Sequence, residues 1–297
     1  MTDYAVDRLF DAVASKGHVC IGLDTCTDYI PSEQRRKAQN DGEAVFIYNK
    51  MLIDATVDIA ACYKVQIAYY EEMGIKGLTS YAKTLEYIRS RKCIAIADIK
   101  RSDIEDTARR YAKAHFTGDF EADFVTLNPY MGMDSIRPWL SLAKDSAKGA
   151  FVLMRTSNPG MKDFEYLELT NGKKLYHTVG DKLSSIAIEN MGNNGYGIFG
   201  AVIGCTESEE AREIRNNYPN LFFLIPGYGA QGGGAKDAAL LLNKGNGGVV
   251  NASRSIIAAW QKEDPQNTDI TFACDAARRA AIRMKDEILL ELSLKIA

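Results

Sequence analysis

The feature that most restricts this chain is a repeat. Eight short, almost wholly apolar runs recur along it, separated by stretches with helical spacing. The runs are His18–Asp24, Ala60–Gln66, Cys93–Ile99, Ala122–Asn128, Gly149–Arg155, Ile198–Gly204, Leu221–Gly227 and Gly247–Ser253. Apolar character with little alternation marks a strand buried on both faces. Between the runs, Val45, Tyr48, Leu52, Ala55 and Ile59 step by three or four, as one face of a helix does. Ile104, Ala108, Tyr111 and Ala112 repeat the pattern after the third run. Residues 4–14 read as a short helix ahead of the first strand, and Ala276–Leu292 as the last helix. Eight strands alternating with helices predict an α/β fold, a (β/α)8 TIM barrel, with an open doubly wound sheet as the alternative. No Pro-rich linker, low-complexity tract or charge block marks a boundary, so residues 1–297 are expected to form a single domain.

Composition excludes several classes of function. Hydrophobic residues at 46% and charged residues at 25% suit a globular protein with a sizeable core. A net charge of -3 offers no sign of the basic face that general nucleic-acid binding needs. No apolar run approaches the roughly 20 residues of a membrane helix. Asp3 and Asp7 stand where a signal peptide would carry basic residues, so a cytoplasmic location is expected. The six cysteines, at 20, 26, 62, 93, 205 and 274, form no CxxC, and no His/Cys cluster has zinc spacing. Cys20, Cys62, Cys93 and Cys205 fall inside apolar runs and are expected to be buried and reduced. The three histidines, His18, His115 and His177, are scattered. A Ser-His-Asp or Cys-His mechanism finds no support.

In a TIM barrel the chemistry gathers at the C-terminal ends of the strands. Two connections on that face, Thr25 to Gly42 and Thr156 to about Asp181, are longer than a barrel needs and read as lids or insertions. The third run ends in Asp98-Ile-Lys100-Arg-Ser-Asp103. Asp98 and Lys100 stand two apart on a strand and should point the same way. Lys64 interrupts the otherwise apolar Ala-Cys-Tyr-Lys-Val, and Asp24 ends the first run. Lys64, Asp98, Lys100 and Asp103 could thus form a row of alternating charges, each keeping its neighbour ionised. The competing reading is a structural ion pair, with Asp103 as N-cap of a helix Ile104–Phe116 and Asp106 three residues on.

Across the rim, the seventh run leads into Pro226-Gly-Tyr-Gly-Ala-Gln-Gly-Gly-Gly234 and the eighth into Asn251-Ala-Ser-Arg254-Ser. Glycines let backbone N–H groups approach an anion, and the loops after strands 7 and 8 are where barrels often hold phosphate. Arg254 can add charge-assisted contacts.

Asp-x-Lys-Arg-x-Asp-Ile at 98–104, Ile-Gly-Leu-Asp at 21–24, Pro-Gly-x-Gly-Ala-Gln at 226–231 and Ser-Arg at 253–254 together resemble the orotidine 5'-phosphate decarboxylase family. The likeness runs from the first strand to the eighth and is greatest to the longer, type 2 branch. It implies decarboxylation of orotidine 5'-phosphate to UMP and CO2 in pyrimidine biosynthesis, without metal or organic cofactor. It also implies a homodimer. By the resemblance, Lys100 donates a proton to C6 of the pyrimidine, Asp98 faces the departing carboxylate, and Lys64 holds Asp98 and a ribose hydroxyl. Asp24 accepts from the ribose 3'-hydroxyl. Asp103 and Thr107 reach across the dimer interface into the neighbouring site. Ser157 meets the pyrimidine amide edge, with Gln66 as a further candidate at the ring. Gln231 and Arg254 hold the phosphate, with backbone N–H groups near Ser253. Ser102 departs from the glycine usual at its place in that branch, so the local turn is expected to differ.

Three rivals stay open on the residues: a Mg2+-dependent phosphosugar decarboxylase or aldolase using the third-strand carboxylates, a Schiff-base aldolase with Lys100 or Lys64 as nucleophile, and a non-catalytic nucleotide-binding barrel.

Overall fold

A computed structural model describes residues 2–207, 209–229 and 232–296. Each apolar run forms a strand. They are β1 (Val19–Gly22), β2 (Cys62–Gln66), β3 (Ile94–Arg101), β4 (Phe124–Leu127), β5 (Gly149–Arg155), β6 (Phe199–Ile203), β7 (Phe223–Ile225) and β8 (Gly248–Ala252). They pair in parallel and in chain order, and β8 returns to β1 through Val19–Val250, Cys20–Asn251 and Ile21–Ala252 to close the barrel. The doubly wound alternative is set aside.

Strand ends fall inside the apolar runs for local reasons. β7 stops at Ile225 because Pro226 has no N–H to give the ladder and Gly227 adopts φ 103°. β3 instead runs on to Arg101. Its register against β4 shifts between Ala97 and Arg101, and Lys100 within that interval sits at φ 44°.

The helical readings hold with adjusted limits: Ala5–Lys16 precedes β1, Asp41–Thr56 follows it, and Ile270–Ile296 ends the fold. The second of these is capped at both levels, since Asn40 accepts from the Glu43 N–H at 3.1 Å and Glu43 accepts from the Gln39 N–H at 2.6 Å. The long connections carry structure of their own. After β1 come a 3-10 turn at Thr27–Tyr29 and a helix at Ser32–Lys37. After β5 a 3-10 turn at Pro159–Asp163 precedes the helix Leu175–Glu189.

The N-cap expectation for Asp103 is corrected. The helix after β3 is Glu105–Phe116, its cap is Ile104, and it receives no side-chain cap bond. Glu105 takes φ 45°, which turns the chain between Asp103 and the helix. Among the described residues the Asp103 carboxylate accepts only from the adjacent Ile104 N–H, at 2.9 Å. Ser102 is not among the positive-φ residues, so this turn does not require glycine there.

All six cysteines are free thiols, and all but Cys26 are buried. No helix among the described residues is long and apolar enough to cross a membrane.

Candidate active site

At the C-terminal ends of the strands a cavity of about 530 Å³ opens, lined by residues of all the strands or the loops that follow them. Its floor is a row of four charges. Lys64 on β2 donates to Asp24 Oδ1 at 3.2 Å and to Asp98 Oδ2 at 2.8 Å, and Lys100 donates to Asp98 Oδ1 at 2.6 Å. The row therefore reads Asp24, Lys64, Asp98, Lys100. Lys64 and Asp98 are buried, whereas the Lys100 side chain is 45% exposed. Asp103 does not join the row, as the turn at Glu105 would suggest. It pairs with no cation in its own chain among the described residues and does not line the cavity.

Burial alone would push the Asp98 carboxyl up, but the Lys64 and Lys100 ammoniums outweigh it and hold the group well below its ordinary range. Lys64 shows the mirror image. Burial would lower it, and the Asp24 and Asp98 carboxylates instead hold it above the ordinary lysine value. Each buried charge is kept ionised by its neighbours.

Two apart on a regular strand, Asp98 and Lys100 would share a face, but the strand here is not regular. Thr126 on β4 makes the geometry. Its hydroxyl accepts from the Ile99 N–H at 3.0 Å and the Lys100 N–H at 2.9 Å, and donates to Asp98 Oδ1 at 2.8 Å. The left-handed backbone at Lys100 is held by those bonds and returns the ammonium to Asp98. Such a conformation in a non-glycine residue is strained and persists only where its surroundings fix it. Sequence reasoning missed Thr126. The one signal was a hydroxyl in the run Phe-Val-Thr-Leu, where a β-branched residue is ordinary for a strand.

Across the cavity lie the loops after β7 and β8. Pro226, Gly227, Tyr228, Asn251, Ser253 and Arg254 all line it. Arg254 is exposed and makes no ion pair among the described residues, so its charge is available to a ligand. Ser253 donates to Asp24 Oδ2 at 2.8 Å, which links this side to the charge row. The close approach depends on Gly22, since a Cβ there would stand 2.0 Å from Ser253 Oγ. Gln231 lies outside the described residues.

The third wall follows β5: Thr156, Ser157 and Asn158 reach the cavity. Gln66 also lines it, but its Nε2 donates to Asp98 Oδ2 at 3.0 Å, so its amide is engaged with the charge row. Thr107 is exposed and away from the cavity. None of the three histidines lines it. His18 and His115 are buried, and His177 bonds Tyr218. Tyr29 and Tyr69, neither singled out by the sequence, complete the rim.

The sequence profile of the Orotidine 5'-phosphate decarboxylase / HUMPS family matches residues 17–267. Over 283 residues the chain is 56% identical to an orotidine 5'-phosphate decarboxylase of Clostridium acetobutylicum, covering 95% of this chain and 98% of that protein. Among solved structures it is similar to Leishmania donovani OMP decarboxylase, with a TM-score of 0.78 at 27% identity over 97% of this chain and 99% of the other. Leishmania donovani UMP synthase gives a TM-score of 0.79 at 29% identity, and there the chain spans 57% of the longer protein.

Proposed function

This chain belongs to the Orotidine 5'-phosphate decarboxylase / HUMPS family, and from that membership we infer that it decarboxylates orotidine 5'-phosphate to UMP in pyrimidine biosynthesis, with Lys100 as proton donor. It is a carboxy-lyase. The observation that carries the proposed mechanism is the charge row from Asp24 to Lys100, which ends on a half-exposed ammonium facing the cavity.

Breaking the bond from C6 to the carboxylate leaves its electron pair in an in-plane orbital on C6, outside the π system. A fixed cation beside C6 is the direct way to lower that charge. The Lys100 ammonium fills that role, then passes a proton from Nζ to C6, and the neutral amine recovers a proton from water. CO2 departs from the side of Asp98. Proton donation of this kind contributes about 10²–10⁴-fold. The larger share comes from charges already in place before the substrate arrives, and from phosphate and ribose binding. Arg254, Gln231 and the backbone around Ser253 take the phosphate. Asp24 and Lys64 take ribose hydroxyls, and Ser157, with Gln66 near it, takes the amide edge of the pyrimidine.

The chemistry of the donor set favours a cofactor-free reaction. Asp24 and Asp98 are the two carboxylates on the floor, and each is paired to a lysine. The active unit is a homodimer in which Asp103 and Thr107, turned away from their own cavity, complete the partner's. The protein works as one barrel domain in the cytoplasm.

Loss of orotidylate absorbance, followed in excess EDTA, tests the reading. Turnover should persist with chelator and fall by more than about 10⁴-fold in Lys100→Ala, beyond what proton donation alone supplies. Turnover abolished by EDTA, or retained by folded Lys100→Ala, would refute it.

A further inference from the structure

We propose that Glu165 is a positioning residue for the base end of the cavity, fixing the corner Thr156-Ser157-Asn158 on which pyrimidine recognition depends. The proposal rests on the reading that Ser157 meets the base.

Glu165 lies nine residues beyond Thr156, midway along the loop that follows β5. Its carboxylate takes the corner in two places. Oε2 accepts from the Thr156 N–H and Oε1 from the Thr156 hydroxyl, both at 2.8 Å. Its own carbonyl accepts from the Tyr176 N–H at 3.1 Å, so the same residue is tied to the start of the helix Leu175–Glu189. The corner is thereby anchored to a helix rather than left on a free loop. Glu210, which follows β6, anchors the second half of the loop, accepting from Tyr166 Oη at 2.6 Å and from Lys174.

Ser157 is confined from behind as well. A Cβ on Gly204, just past β6, would lie 2.7 Å from Ser157 Cβ, so the serine is pressed against the β6 edge. Held in front by Thr156 and behind by Gly204, Ser157 has little room to shift. Removal of the Glu165 anchor frees one of those two restraints.

The bonds also fix a polarity. Thr156 Oγ1 lies 2.7 Å from the Asn158 amide oxygen and 2.8 Å from Glu165, yet a hydroxyl has one proton. An ionised Glu165 can only accept, so the hydroxyl proton goes to it. The Asn158 amide must then present its NH2 to Thr156, since amide orientation follows the hydrogen-bond network. The carboxylate thus sets the orientation of Asn158, which itself lines the cavity.

Calorimetric titration with UMP and with ribose 5-phosphate separates base from phosphate recognition. In Glu165→Ala, UMP affinity should fall about tenfold or more, the loss of roughly one charge-assisted bond's worth of order, while ribose 5-phosphate affinity changes less than about twofold. Glu165→Gln keeps one acceptor and should fall between. Thr156→Val, which keeps the backbone N–H but loses the hydroxyl, should also lower the preference for UMP and serves if Glu165→Ala folds poorly. An equal loss for both ligands would overturn the proposal, because it would mean general loosening. If Ser157→Ala loses the preference while Glu165→Ala and Thr156→Val keep it, positioning is wrong and the base contact stands. If none of the three loses it, the base-end reading fails, and the proposal with it.

Discussion

Replacing Lys64 with methionine probes whether the charge row is coupled as its geometry implies. Lys64 is 5% exposed and contacts two carboxylates. Removing one partner of a buried pair costs about 3–5 kcal/mol, because a charge is left uncompensated. Asp98 keeps Lys100, Thr126 and Gln66, and Asp24 keeps Ser253, which places the expected loss near the lower figure. At about 2 °C per kcal/mol for a chain of this size, the Tm should fall by roughly 6 °C. The informative step is to add Asp98→Asn. That removes the buried anion that has lost one of its two lysines and leaves Lys100 unpaired, but the Lys100 side chain is 45% exposed and loses little in water. The double variant should therefore recover at least half the lost stability, measured by thermal unfolding followed by circular dichroism. A double variant less stable than Lys64→Met would refute the account, since it would mean that Asp98 stabilises the barrel through Lys100 and its hydrogen bonds even without Lys64.

Arg254→Ala should weaken UMP binding by about 10- to 100-fold, from the 1.5–3 kcal/mol of a hydrogen bond to a charged group; unchanged affinity by calorimetry would remove the phosphate assignment. Stability should fall as pH drops from about 6.5 to 4. Burial pushes His18 and His115 down to about 4, so the unfolded chain takes up protons in that window while the folded one does not. Each histidine contributes up to about 3 kcal/mol to this loss, and His115→Phe should flatten urea midpoints across the window. Mixing inactive Lys100→Ala and Asp103→Ala proteins, with subunit exchange verified by mass, should restore activity through one repaired site per heterodimer. No recovery would mean that Asp103 serves its own chain.

The barrel was legible because strands buried on both faces cannot hide their apolar character, and all eight runs became strands. The charge row was legible for the opposite reason. Lys64 and Asp98 are charged residues at buried positions of otherwise apolar stretches, and burial makes such residues pair. What escaped were contacts made by unremarkable residue types. A threonine in an apolar strand looks like β-propensity, and nothing in Lys100 itself announces a left-handed backbone. The row was read as ending in Asp103, because spacing along one strand does not reveal a turn at Glu105. Glu165, in the long loop after β5, and Glu210, after β6, look like ordinary surface acids and become anchors only once that loop folds against them.

The threonine on β4 has one further consequence. Its single hydroxyl spends its proton on Asp98 and both its lone pairs on the main chain of the neighbouring strand. The Lys100 amine, the group proposed to meet the substrate, is therefore mounted on a joint between two strands. Slippage of one strand along the other would swing that ammonium away from Asp98 and the cavity, so the alignment of the proposed proton donor is inherited from the closure of the whole barrel.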